Sequence, residues 1–267
     1  MKFRTEVAIE PSDWKIEPFT RILFVGSCFA DNMGKRFAEE KFRAVVNPFG
    51  VMYNPVSILH TVQRLDCKPE ISVFTLGTNH VYREKATGMI VDNCQKRPAN
   101  LFVEEELTVD ECVESLGRAA DMVGGKVIIT VSPIRYRKYG FHQSVVSKSV
   151  LMLAAERLTR ERPDRVDYFP AYEIMNDELR DYRFYQPDML HPSQQAVEYI
   201  YEKFSQAYFS DATNKFIAEW RPVKEALGHR PFNPDGEEYK AFLRNVKAQA
   251  AALKQKYPGF EDDILNR

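Results

Sequence analysis

The 267-residue chain carries 37 Lys and Arg against 38 Asp and Glu, a net charge of -1, with 44% hydrophobic residues. That balance supports a substantial core and gives no electrostatic argument for a nucleic-acid or anionic-membrane partner. No run approaches the ~18 apolar residues of a membrane span, and the opening Met1-Lys2-Phe3-Arg4-Thr5-Glu6 lacks a signal-peptide core, so a cytoplasmic protein is expected.

Apolar runs of strand length stand at 22–25, 44–46, 73–76, 127–131 and 166–169, and several of the segments between them have helical periodicity. Runs this continuously apolar belong to parallel strands covered on both faces. The alternation therefore predicts an α/β fold, a three-layer α/β/α sandwich with a mainly parallel five-stranded sheet. The stretch 77–106 fits less well; Ala86-Thr87-Gly88 marks a turn between extended stretches and predicts a β-hairpin over 82–91. Thr108-Val109-Asp110-Glu111 is a capping-box signature for a helix bearing Val113, Leu116, Ala120 and Val123, which Gly124-Gly125 ends. Val150, Leu151, Ala154 and Leu158 form a second stripe stopped near Pro163, and a helix after Pro192-Ser193 carries Val197, Ile200, Tyr201, Phe204 and Tyr208.

From Pro222 the chain reads as an addition. A Pro-rich stretch, 230–236, precedes an amphipathic helix with Tyr239, Phe242, Leu243, Val246, Ala250, Leu253 and Tyr257 on one stripe. One helix is too small a core alone, so the stripe either packs back on the domain or meets a partner, a second copy of the chain included. The expected division is a 1–220 domain and a 221–267 C-terminal helical extension.

Chemistry concentrates in two short patterns. Gly26-Ser27-Cys28-Phe29-Ala30 follows the first apolar run, which puts its small reactive side chains at the carboxyl edge of the sheet, where open α/β folds bind ligands. Asp188-Met189-Leu190-His191-Pro192-Ser193 supplies a base in His191 and, three residues earlier, a carboxylate for its second ring nitrogen. Together they offer the nucleophile, base and orienting group of an acyl-transfer site. Arg135 and Tyr136, after the fourth run, and Arg183, in an Arg- and Tyr-rich connection over 172–185, are expected above the same edge as substrate-binding residues. Arg there would hold a carboxylate or phosphate and aromatic rings would stack on sugar faces, with surface salt bridges and packing as the competing reading. The four cysteines, Cys28, Cys67, Cys94 and Cys112, show no C-x-x-C, and His60, His80 and His229 have no metal-ligand spacing; His142 is expected in a loop. No metal site and no organic cofactor are implied.

The motif Gly26-Ser27-Cys28-Phe29-Ala30 resembles the GSCFA family of the SGNH (GDSL-like) hydrolase superfamily, over about residues 20–210. Phe74-Thr75-Leu76-Gly77-Thr78, Thr130-Val131-Ser132-Pro133-Ile134-Arg135 and Tyr168-Phe169-Pro170-Ala171-Tyr172-Glu173 extend it. In that superfamily the first block is Gly-Asp-Ser with a serine nucleophile, and the last is Asp-x-x-His, matched by Asp188 and His191. The resemblance makes Gly50 the counterpart of a second-block glycine whose N–H enters the oxyanion hole, and Asn79, in Gly77-Thr78-Asn79, that of a third-block asparagine. Counting from Gly26 puts Cys28 at the nucleophile position, whereas sliding by one keeps Ser27. Adjacent side chains point in different directions, so only one can face His191, and registry favours Cys28 with a lowered thiol pKa.

The resemblance implies a hydrolase cleaving an O-acyl (acetyl) ester of a small molecule or glycan through an acyl-enzyme. Two alternatives stay open: an acyltransferase with a Cys nucleophile and a thioester donor, and a non-catalytic binding module that uses its C-terminal helix.

Overall fold

Each of the five apolar runs is a strand of one parallel sheet in the computed structural model, which describes residues 4–94, 97–229 and 236–261. In chain order the elements are β1 (Arg21–Gly26), α1 (Cys28–Glu39), β2 (Arg43–Val46), α2 (Pro55–Gln63), β3 (Ile71–Leu76), β4 (His80–Glu84), β5 (Ile90–Val91) and β6 (Phe102–Glu106). There follow α3 (Val109–Val123), β7 (Lys126–Val131), α4 (Gly140–Glu161), β8 (Val166–Tyr168), α5 (Ala171–Glu173), α6 (Gln194–Tyr208), α7 (Asp211–Gly228) and α8 (Glu237–Lys256).

The parallel sheet has the order β2-β1-β3-β7-β8, so the direction of winding reverses between β1 and β3. Strand alternation sorts the apolar side chains. Leu23, Val25, Phe74, Leu76, Ile129 and Val131 face α2, α3 and α4, while Ile22, Phe24, Val73 and Ile128 face α1 and α6. Phe37 of α1, fully buried, meets Phe24, Phe42, Tyr201, Phe204 and Phe209 with ring centroids 4.8–5.6 Å apart. Side chains of this size each contribute ~1.5–3 kcal/mol by leaving water.

The local signals fall where their chemistry requires. Thr108 and Glu111 close both halves of the capping box, and Gly124 ends α3 in the left-handed region at φ 79°. Helix α4 starts at Gly140, well before its apolar stripe, so His142 lies in its first turn and not in a loop. The hairpin is present, with Tyr82 opposite Val91 and Arg83 opposite Ile90, but β6 pairs along the other side of β4 and makes a three-stranded antiparallel sheet inserted between β3 and α3.

The stripe of α8 packs back on the chain. Val246, Ala250 and Leu253 join Phe216, Trp220 and Val223 of α7 in a third core cluster, with Phe260 5.4 Å from the Trp220 ring. Trp220 Nε1 donates to the Glu39 carbonyl at the end of α1 (2.9 Å), and Lys224 Nζ lies 2.5 Å from buried Glu40. Residues 220 and 221 fall inside α7, whose helix continues through Pro222. The Pro-rich 230–235 lies outside the described residues. Among the described residues no helix is long and apolar enough to cross a membrane.

Candidate active site

The end of β1 is built around close backbone approach. Gly26 has φ +140°, and a Cβ there would stand 2.1 Å from the Thr75 carbonyl oxygen on β3. Its N–H donates to Asn47 Oδ1 (2.9 Å), and its carbonyl accepts from Met52 N–H (2.8 Å), so the β2–α2 connection is tied to the strand end. Ser27 then turns inward. It is 2% exposed, its N–H donates to the Thr75 carbonyl, its Oγ lies 3.2 Å from Thr75 Oγ1, and the same oxygen accepts from Phe29 N–H as the N-cap of α1. A cap held in this way does not line the cavity that Cys28 enters. Cys28, the first helical residue, is half-buried and lines a cavity of about 400 Å³ together with Tyr53, Ile134, Arg135, Tyr136, Leu190 and His191.

Residues 184–193 form a narrow loop that carries the other two groups. Tyr185 pairs with Pro192, Gln186 N–H donates to the His191 carbonyl, and Ser193 N–H donates to the Phe184 carbonyl before Ser193 caps α6. At the tip, Met189 sits at φ +60°, a left-handed conformation unusual for a side chain of its kind. That turn lets Asp188 Oδ1 accept from both Leu190 N–H (2.8 Å) and His191 N–H (3.0 Å) while Oδ2 meets His191 Nδ1 at 2.5 Å. Donation from the two backbone amides first, and then from the imidazole, holds the Asp188 carboxyl down at about 2. With Nδ1 committed to the carboxylate, Nε2 is left as the basic nitrogen.

Arg135 acts on this loop. Its N–H donates to the Leu190 carbonyl (3.0 Å), its Nη1 to the Met189 carbonyl (3.1 Å), and its guanidinium lies over the rings of Phe141, Tyr182 and Tyr185. It therefore holds the His191 turn as well as lining the cavity. Tyr136 lines the cavity too, but Arg183 does not: it is exposed, pairs with Asp181 and lies over Phe184.

The two expected oxyanion donors are occupied elsewhere. Gly50 N–H closes a turn onto the Asn47 carbonyl (2.8 Å). Asn79 is 2% exposed and its Nδ2 donates to the Leu107 carbonyl (2.8 Å), because β4 starts at His80 and carries the asparagine toward the inserted sheet. The Cys28 N–H, at the start of α1, is directed at its own thiol.

The thiol also differs from expectation. Burial pushes the Cys28 pKa up, its own N–H pulls it down, Asp31 raises it, Lys148 lowers it and Asp188 raises it; burial prevails. Lys148 went unnoticed in the sequence. Only 2% exposed on α4, it donates from Nζ to the Ser132 carbonyl (2.8 Å) just beyond β7, lies 6.0 Å from the Tyr172 ring, and is electrostatically coupled to Cys28. Burial lowers its pKa to about 7. Its position three residues before Leu151 puts a cation on an apolar helix stripe, a signal that was available. Tyr53 was also missed. Burial raises its phenol pKa first, with the charges of Cys28 and Asp31 adding to it. Its carbonyl accepts from Gly77 N–H and Thr78 N–H, and a Cβ at Gly77 would come within 3.1 Å of its ring.

A second cavity, of about 570 Å³, adjoins the first and shares Tyr53, Tyr136 and Lys138 with it. A groove of about 790 Å³ between the N-terminal segment and β8 shares no residue with either. Among the described residues no cluster of His, Cys, Asp and Glu could hold a metal ion.

The GSCFA family model matches residues 21–72 and 61–204, and that of the GSCFA domain protein, C-terminal domain, matches 220–263. Solved structures similar to the chain include a GDSL-like lipase from Bacteroides thetaiotaomicron VPI-5482, at 15% identity over 73% of this chain and 88% of that one, TM-score 0.47. Others are LAE5, an alpha/beta hydrolase enzyme from the metagenome of Lake Arreo (14%, 72% and 96%, 0.44), and a carbohydrate esterase family 3 protein from Talaromyces cellulolyticus (10%, 75% and 99%, 0.42). At such identities and TM-scores the functional reading rests on the site itself. No functionally curated protein matches the chain.

Proposed function

We propose that this chain, which belongs to the GSCFA family, hydrolyses an acyl ester through a thioester formed on Cys28. The observation that carries the reading is that Cys28 and His191 line one cavity while Asp188 fixes Nδ1 of that histidine. The resting thiol is protonated, so His191 acts as a general base and not as the partner of a preformed thiolate. His191 Nε2 takes the thiol proton as Sγ attacks the acyl carbon. The tetrahedral oxyanion accepts from the Cys28 N–H, where the start of α1 adds its positive dipole end, and from the Tyr53 hydroxyl in place of Gly50 and Asn79. Collapse expels the alkoxide, which takes the proton from His191. Water then attacks the thioester, gives its proton to His191, and the acid leaves as the thiol is restored. Lys148, its pKa lowered by burial to about 7, favours the attack only in its charged form, at and below neutral pH.

An O-acyl group on a carbohydrate is the proposed substrate, and a single α/β/α domain followed by a helical extension is the proposed organisation. The test compares parent, Ser27→Ala, Cys28→Ala and His191→Ala proteins on short-chain aryl esters and thioesters, with intact-protein mass spectrometry for the acyl adduct. Activity and adduct should survive Ser27→Ala and vanish in Cys28→Ala. An active Cys28→Ala protein would overturn the reading.

A further inference from the structure

The second cavity has no role in the acyl chemistry, yet it opens from the same pocket. An aromatic wall joins them: the Tyr53 and Tyr136 rings lie 6.3 Å apart, Tyr136 and Tyr139 5.5 Å, and Tyr139 stacks on His80 at 3.9 Å. The far side comes from the inserted β4–β5–β6 sheet and its loops, through Tyr82, Phe102 and Glu104.

Among the described residues its charges are mutually satisfied. Lys138 pairs with Glu104 (3.4 Å), Arg97 with Glu84 (2.5 Å), and Asp92 with His60 and Arg64 (2.7 Å each). Burial lowers the His80 pKa, which leaves that imidazole neutral at pH 7. Among the described residues, a highly anionic ligand such as a nucleotide thioester would find no uncompensated cation here and would meet Glu104 and Asp92. Flat aromatic faces interleaved with hydroxyl, carboxylate and amide groups suit a ligand with apolar C–H faces and a rim of hydroxyls.

We propose that this cavity holds the alcohol part of the ester, and that the part is an uncharged mono- or disaccharide stacked on Tyr136 and Tyr139. The inference rests on the reading of Cys28 and His191 as the ester-cleaving pair and adds the subsite that selects the substrate. Its volume, about 570 Å³, falls within the range of small-molecule sites. Departure of the sugar through the insert leaves the acyl group in the smaller cavity beside Cys28.

The experiment reads binding without turnover. The Cys28→Ala protein is titrated with the methyl glycosides of glucose, galactose, xylose and N-acetylglucosamine, and with coenzyme A, by calorimetry and ligand-observed NMR. At least one glycoside should bind saturably, weaken about tenfold in Cys28→Ala/Tyr139→Ala, and resist displacement by coenzyme A, tenfold being ~1.4 kcal/mol. Tyr139→Leu, which keeps apolar bulk without a ring, serves as the second variant and should lose the same affinity. Absence of binding by all four glycosides, equal binding after both Tyr139 substitutions, or displacement by coenzyme A would overturn the proposal. Aryl-ester turnover by the parent is scored separately. Turnover without sugar binding removes the sugar site alone, and sugar binding without turnover keeps the sugar site and removes the hydrolase.

Discussion

Replacing Lys148 with methionine should make the protein more stable. Burial holds the ammonium at about 7 against an ordinary 10.5, and at ~1.4 kcal/mol per pH unit its presence costs the folded state up to ~5 kcal/mol. The bond to the Ser132 carbonyl, a charged hydrogen bond worth ~1.5–3 kcal/mol, is lost in the variant, so a net gain of about 1–4 kcal/mol is expected near neutral pH. The sign with pH follows from proton binding. Between about 7 and 10.5 the unfolded lysine is protonated and the folded one is not, so parental stability rises with pH across that window. The cost is fully present below pH 7 and gone above 10.5, and the methionine variant lacks that slope. Urea unfolding of both proteins at pH 6, 8 and 10, followed by circular dichroism, gives the difference directly. Because Lys148 is already neutral where the thiol, raised by burial, titrates, the midpoint of thiol alkylation against pH should not move in Lys148→Met. A variant less stable than the parent at pH 6, with a stability difference that does not change with pH, would refute the electrostatic account of this residue.

Other substitutions separate the parts of the site. Asp188→Asn removes the carboxylate that fixes the His191 tautomer and should lower kcat about 10⁴-fold, as in other triads, with little change in melting temperature because Asp188 is exposed. Tyr53→Phe should lower kcat by about 10²–10³-fold if the phenol donates to the oxyanion; an unchanged kcat on aryl esters would assign Tyr53 to the sugar cavity alone. Gly26→Ala drives a methyl group into the Thr75 carbonyl and should abolish soluble expression, whereas Gly50→Ala, with open space around it but a backbone at φ +95°, should cost ~1–3 kcal/mol of stability and remain active per folded molecule. Trp220→Ala deletes the ring joining α7 to Glu39 and Phe260 and should cost ~3–5 kcal/mol, with aryl-ester turnover per folded molecule retained.

The linear chain already contains whatever depends on local chemistry. Five apolar runs specify buried parallel strands because only sheets covered on both faces tolerate them. Thr108 with Glu111, Gly124, and Ser193 beyond Pro192 fix helix ends because each capping bond spans a few residues. Asp188 and His191 were legible for the same reason: all their mutual hydrogen bonds close within four residues.

Contacts between segments far apart in sequence were decided by the tertiary structure. The roles of Ser27 and Cys28 depend on Thr75, which turns the serine inward and leaves the thiol in the cavity. Gly50 and Asn79 looked like oxyanion donors until the turn at Asn47 and the start of β4 engaged their N–H groups. Tyr53 and Lys148 gain their place only when the β2–α2 loop and α4 converge on β1. The Cys28 pKa rises because burial, a property of the assembled fold, outweighs the helix N-terminus that sequence alone could reveal. Local pattern supplied the reagents, and long-range packing decided which of their donors, acceptors and charges remained available to a substrate.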